Sequence, residues 1–251
     1  MNKLRILLRA APAAILVLAL RFVLHTLIGE SGILAFSDTA AVLTGTALVM
    51  GLMLSGVIAD YKEAEKLPSA VGVYFSFFED YAVRGLNIAN VDASWVHGRL
   101  VSVAHAINEW FFARKTNDEL WSVYRENMNY IADQVANSGT KSQYITQTNN
   151  ANNNIRNTLE RIAVIRNTNY LPAGYVLLQV LVVITFGLLV LADFPHRLAA
   201  YFVPGAVSLV YMYMLLLIKD LDNPFDYKED GRRSAVDVPL FPWSDVYKSF
   251  R

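Results

Sequence analysis

Residues 39–59, 173–192 and 198–218 each run 20 or 21 positions without one Asp, Glu, Lys or Arg. A helix needs about 20 such residues to cross the hydrocarbon core of a bilayer. A backbone placed there must also satisfy its own hydrogen bonds, which a helix does internally. A fourth stretch, 10–28, has the length but carries Arg21 and His25. Two apolar stretches therefore lie towards each end of the chain, on either side of a polar middle. A soluble domain would intersperse its apolar residues with polar ones; here the hydrophobic residues, 54% of the chain, are concentrated in spans. The basic start before the first stretch suits a signal peptide, but the run is too long and Arg21 interrupts it, so a retained helix is expected.

Charge distribution sets the expected topology. Lys3, Arg5, Arg9, Lys62, Lys66, Arg156, Arg161, Arg166, Lys219, Lys228, Arg232 and Arg233 fall on one side of the spans, and only Arg197 on the other. Twelve against one places both termini and the middle in the cytoplasm. The expected division is a first membrane pair (10–59), a helical cytoplasmic domain (60–171), a second pair (172–218) and a cytoplasmic tail (219–251), in a plasma membrane of bacterial type. Net charge is zero, with 22 basic and 22 acidic residues, so no basic footprint of a nucleic-acid binder exists. The absence of cysteine excludes disulfides and thiolate metal sites.

The middle reads as helices. Over 69–86, Val73, Phe77, Phe78 and Tyr81 form an apolar stripe. A second helix over 94–115 opens after Asp92, read as its N-cap, and carries Trp95, Leu100, Val103, Ile107, Trp110 and Phe111. Thr116-Asn117-Asp118-Glu119 is a capping-box pattern that starts a helix to about Ala136, with Leu120, Tyr124, Met128 and Ile131 on one face. Asn137-Ser138-Gly139 stops it. A last helix runs over 142–166 through an Asn-rich tract, 149–154, read as a solvated face or as the lining of an aqueous vestibule. Pro172 suits the first turn of the third span. Strand signals are almost absent, so the expected class is all-α: a four-helix transmembrane region with a helical cytoplasmic domain. The segment Val238-Pro239-Leu240-Phe241-Pro242-Trp243 reads as an extended apolar strap, packed on its own helices or a neighbour's.

No phosphate-binding glycine loop, nucleophile elbow or nucleotide fingerprint occurs, and His25, His97, His105 and His196 lack metal-ligand spacing. Neither catalysis nor a cofactor is expected, and no metal site from spacing. Arg21 is the residue that most requires explanation, since a cation at mid-span costs about 2.5–3.5 kcal/mol on insertion scales. With His25 one turn away, it reads either as an interhelical contact, to a backbone carbonyl, Thr44 or Thr46, or as a group facing a water-filled path. On the second span Thr44, Ala47, Gly51, Ser55 and Ala59 form a small-residue face. Such a face packs helices tightly or surrounds a pore. Beyond it, Asp60, Lys62, Glu63, Glu65 and Lys66 form intrahelical pairs such as Lys62 with Glu65, or a charged ring at a pore mouth, with Asp60, Glu63 and Glu65 setting the field.

Several of these motifs carry a resemblance. Asp60-Tyr61-Lys62-Glu63-Ala64-Glu65-Lys66-Leu67-Pro68, then Glu109-Trp110, Arg166 before Leu171-Pro172, and Leu221-Asp222-Asn223-Pro224-Phe225 follow in an order that resembles the bestrophin-like membrane family of unknown function. The resemblance links the chain to bestrophins, pentameric ion channels with four membrane helices per subunit and a largely helical cytoplasmic part. It implies a homo-oligomer, a second span that lines a pore, and membrane lipid and inorganic ions as partners. It also implies a calcium clasp after Asn223-Pro224-Phe225, with Asp226 and Asp230 as candidates. Here the acidic run is broken by Tyr227 and Lys228, and the second span has no Phe for a bestrophin neck. The expected function is passive ion conduction, set against a non-conducting scaffold or sensor that binds a cytoplasmic partner through the helical middle.

Overall fold

The computed structural model describes residues 4–28, 33–168, 171–227 and 236–250. The chain is built of helices α1 (Arg5–Ile28), α2 (Phe36–Ala64), α3 (Leu67–Ile88), α4 (Ser94–Phe111), α5 (Asn117–Tyr124), α6 (Tyr130–Asn137), α7 (Ser142–Asn167), α8 (Pro172–Leu191), α9 (Arg197–Asp222) and α10 (Phe241–Ser249). Four of these helical stretches are long and apolar enough to cross a membrane. Two compact units divide the chain: Met1–Asp60 with Asn169–Asp222, and Tyr61–Thr168 with Asn223–Arg251.

The first unit holds α1, most of α2, α8 and α9. Its inner core is Met50, Met53 and Val57 of α2, Leu178 and Val182 of α8, and Ile218 of α9. Close approach needs a missing side chain: a Cβ on Gly174 would lie 2.8 Å from the sulfur of Met53. Polar groups inside the unit pair across helices, as a membrane interior requires. Thr46 Oγ1 and Thr185 Oγ1 are 3.0 Å apart, and the Tyr211 hydroxyl donates to Leu43 O at 2.8 Å. Among the described residues the all-α expectation holds apart from two strands of two residues each, β1 (Leu34–Ala35) and β2 (Ala192–Asp193), which pair in parallel.

The second unit closes around α3, α4, α7 and the tail. Its core includes Phe75 and Phe78 of α3, Leu100, Ile107 and Trp110 of α4, and Ile155 and Leu159 of α7. The inward stripe of α3 is thus Val71, Phe75, Phe78, Ala82 and Leu86, whereas Val73 and Phe77 are nearly half exposed. The expected stripe was displaced because α3 is apolar on both faces, so periodicity alone does not choose between them. Helix α4 ends at Phe111, four residues early. Ala113 takes a left-handed φ of 55°, and its N–H bonds to Trp110 O while that of Arg114 bonds to Glu109 O. That pair of bonds is a Schellman stop. Ala93, not Asp92, is the cap at the other end; Asp92 instead binds the Ser94 N–H and hydroxyl.

The capping box forms as read, with Thr116 Oγ1 accepting from Glu119 N–H and Thr116 N–H donating to Glu119 Oε2 at 2.7 Å. The single helix expected from there is interrupted by a π-helical turn, Arg125–Asn129. Asn127 makes use of it, its amide donating to Val123 O while its carbonyl accepts from Arg99. The tail strap becomes helical from Phe241, with Pro242 in the first turn, where no N–H is needed. Trp243 packs edge-on against Phe75, with centroids 5.7 Å apart. Gly72 admits α10: a Cβ there would meet Val246 Cγ2 at 2.9 Å.

Candidate functional site

Helix α2 turns two different faces outward and inward. Thr46, Met50, Met53 and Val57 are buried, whereas Thr44, Ala47, Gly51, Ser55 and Ala59 are all exposed. A Cβ on Gly51 would meet nothing within 4 Å. Within one chain, then, the small residues stay open, and the side of α2 that packs is the opposite one. A helix advances about 100° per residue, so Ser55 and Ala59 fall within about 60° of the Thr44 line. The helix continues unbroken to Ala64, and 18 residues is five whole turns, so Lys62 returns to that line.

That period redistributes the charges assigned to the inner mouth. Asp60 lies about 160° round the helix from Thr44 and is half-buried. Glu63 is held by Arg161 in a two-pronged ion pair, at 2.8 and 2.9 Å. Hydrogen bonds from Arg161 keep the Glu63 carboxyl below the usual carboxylate range. Glu65 lies beyond the last helical residue, in a turn with Lys66, and is exposed. The ion pair of Glu63 is therefore with α7, 98 residues away, and not with a lysine of its own helix.

Arg21 is explained by a helix end. Its Nη1 donates to Leu189 O at 2.8 Å and Val190 O at 3.3 Å, and its guanidinium lies 4.8 Å from the Phe194 ring centroid. Leu188 O is taken by Ala192 N–H and Leu191 O by Ile33 N–H. The carbonyls of Leu188, Leu189, Val190 and Leu191 thus all have partners, and a cation sits where the helix dipole is negative. Neither Thr44 nor Thr46 is involved; both hydroxyls bond back to carbonyls of α2, at Ala40 and Val42. His25 is half-buried and tilts against Tyr201, ring centroids 6.4 Å apart.

Arg166 repeats the device in the second unit. Nη1 donates to Trp110 O and Nη2 to Phe111 O, both at 2.9 Å, at the end of α4, and the guanidinium lies 5.3 Å from the Trp110 ring centroid. Burial pushes the Arg166 guanidinium down from its ordinary value, and the charge of Asp226 pulls it back up. Glu109 pairs with Arg114 at 3.3 Å. The structure therefore gathers Glu109, Trp110, Arg166 and Asp226, which the sequence separates widely. Asp226 faces a cation, and Asp230 lies outside the described residues; among the described residues no cluster of three His, Asp or Glu is placed to hold a metal.

The other motif residues mark element ends. Pro68 is buried in the first turn of α3, and Pro172 opens α8. Asp222, the last residue of α9, faces the Tyr175 hydroxyl. Pro224 and Phe225 are buried, and Pro224 O accepts from Val238 N–H. Tyr61 is half-buried, its hydroxyl proton held more tightly than usual by burial and by Glu65 and Asp237. Of the Asn tract, residues 149, 150, 153 and 154 are exposed, and Asn152 accepts from the Tyr124 hydroxyl. Asn152 and Asn153 line an open cleft of about 340 Å³ with Trp121, Asn129 and Arg156. Arg99, Phe194 and the pairing of Arg161 escaped the sequence reading, because each acts through a partner distant in the chain.

No protein-family model matches the sequence, and no curated protein sequence does. Solved structures do match. A single-site variant of a bacterial bestrophin homologue from Klebsiella pneumoniae superposes with a TM-score of 0.73 at 15% identity, covering 100% of this chain and 98% of that one. A second crystal structure of that homologue gives 0.70 at 15% identity, covering 98% and 96%. A crystal structure described as a membrane protein gives 0.74 at 16%, covering 98% and 96%. The chain has the bestrophin fold, end to end, and its four long apolar helices make it an integral membrane protein.

Proposed function

We propose that copies of this chain assemble into a ring that conducts ions passively, with α2 of each copy lining the path. The observation that carries this reading is the outward small-residue face of α2, exposed at Thr44, Gly51 and Ser55 while the opposite side is packed. Small side chains leave room for a column of water, and the hydroxyls of Thr44 and Ser55 can replace part of an ion's hydration shell. Thr44, Gly51 and Ser55 form the centre of the face, within about 20° of one line, and Ala47 and Ala59 its edges. The bestrophin fold supports the reading.

In such a ring the charge aligned with the path at the inner end of α2 is Lys62, one from each subunit, and a ring of lysines favours anions. Glu63 is neutralised by Arg161, and Arg21 is occupied by the end of α8, so neither sets the field. The charge bias across the spans supports an orientation with both termini and the middle in the cytoplasm, and we assign the protein to a membrane of bacterial inner type. Recordings from purified protein in planar bilayers test the proposal. Steady unitary currents under a salt gradient are expected, and silence with both cations and anions would overturn it.

A further inference from the structure

Gln179 is the only Asn or Gln in the four apolar stretches. It lies on the outward side of α8 and is exposed, beside Val176, Val180 and Val183, which are 61%, 49% and 69% exposed. The Gln179 amide carries two donors and an acceptor, yet among the described residues it makes no hydrogen bond. Lipid tails offer it nothing, so polar side chains at this depth pair with other helices or face water. The valines around it make a dry face, which argues against water and for protein.

Depth identifies the partner. Helices α2 and α8 are tied at Thr46 with Thr185 and at Met53 with Gly174. Gln179 lies about midway between the two ties, level with Met50 and Gly51. Rotation about the membrane normal preserves depth, so in a ring the group facing Gln179 comes from the same level of a neighbour. Near that level the chain exposes the Ala47 edge of α2, where a single methyl leaves backbone open to a second helix. The chain thus presents both halves of a head-to-tail contact of the kind that closes rings.

We propose that Gln179 of one copy hydrogen-bonds to the backbone of the Ala47 edge of α2 in a second copy. This rests on the ring assembly proposed above, and it leaves Thr44 and Ser55 free to face the path. The first test is dilution of the full chain in mild detergent, followed by mass photometry. Gln179→Leu should dissociate at roughly 3- to 30-fold higher concentration than wild type, the range expected for one interhelical hydrogen bond per contact. The second uses the cysteine-free background. The double variant Gln179→Cys with Ala47→Cys should form a ladder of linked subunits under mild oxidant, and neither single variant should. A Gln179→Leu ring as stable as wild type, with no ladder from the double variant, would overturn the contact. If Gln179→Leu fails to fold, the ladder alone decides. A wild-type chain that is monomeric would instead remove the ring itself, whereas a stable ring that conducts nothing would remove conduction and leave this contact standing.

Discussion

At the scale of single residues, the two buried arginines show why a charge is tolerated where burial penalises it. Arg21 is only 7% exposed, and its desolvation is offset by two carbonyls of α8 that otherwise have no donor within the helix. Replacing it by Met keeps the bulk and leaves both carbonyls unpaired. Hydrogen bonds to charged groups contribute about 1.5–3 kcal/mol each; with the desolvation of the cation relieved, Arg21→Met should lose about 2–4 kcal/mol net, read as a lowered melting temperature in detergent. Arg21→Lys should lose less, since it keeps the charge near the helix end; equal stability of Arg21→Met and wild type would contradict the assignment. The Glu63–Arg161 pair gives a prediction in pH. Because the folded-state pKa of Glu63 lies below its unfolded value, the pair stabilises the fold above the unfolded pKa and loses that contribution as pH falls through the folded value. Between about pH 6 and pH 3, the melting temperature of wild type should fall more steeply than that of Glu63→Gln. Both groups are nearly half exposed, so added salt should shrink the difference.

At the scale of helices, the ends carry the information that periodicity lacks. Helix α4 stops at a left-handed Ala113, a conformation that costs an L-residue about 1–2 kcal/mol and that glycine adopts freely. Part of the gain from Ala113→Gly returns as unfolded-state entropy, leaving the variant about 0.5–1 kcal/mol more stable in thermal unfolding of the full chain; a destabilised variant would contradict the Schellman geometry. These ends also mark what was legible in the sequence. The four apolar spans, the capping box at Thr116, the start of α7 and the proline-led start of α8 were readable because each signal is local. The inward face of α3 was not, since apolar residues lie on both its sides and only the tail's Trp243 and Phe250 select one. Nor was the stop at Ala113, where no glycine announces it. The small-residue face of α2 was readable as a pattern, but its outward direction depends on which side Leu178 and Val182 of a later helix cover. The partners of Arg21 and Glu63 lie 168 and 98 residues away, beyond the reach of any local pattern.

For the whole assembly, the outward face of α2 and the helical period together make a statement about ion selection. Thr44, Ser55 and Lys62 share one line along an unbroken helix, so a path lined by this face ends in a ring of lysines, with Asp60 on the far side of the helix and Glu63 paired with Arg161. Anions should then carry most of the current under a salt gradient. Reversing the ring with Lys62→Glu should move the reversal potential towards that of cations, and Lys62→Gln should fall between the two. Asp60→Asn, on the far side of the helix, should leave it near the wild-type value. The cysteine-free chain supplies an internal control: a charged thiol reagent should block current through Ser55→Cys and spare Val183→Cys, which faces outward on α8. A reversal potential unmoved by Lys62→Glu, in a channel that Ser55→Cys still lets the reagent block, would keep α2 in the path and remove Lys62 from it. If the reagent blocks neither cysteine, the path runs elsewhere in the ring and the outward face of α2 is a packing surface between subunits.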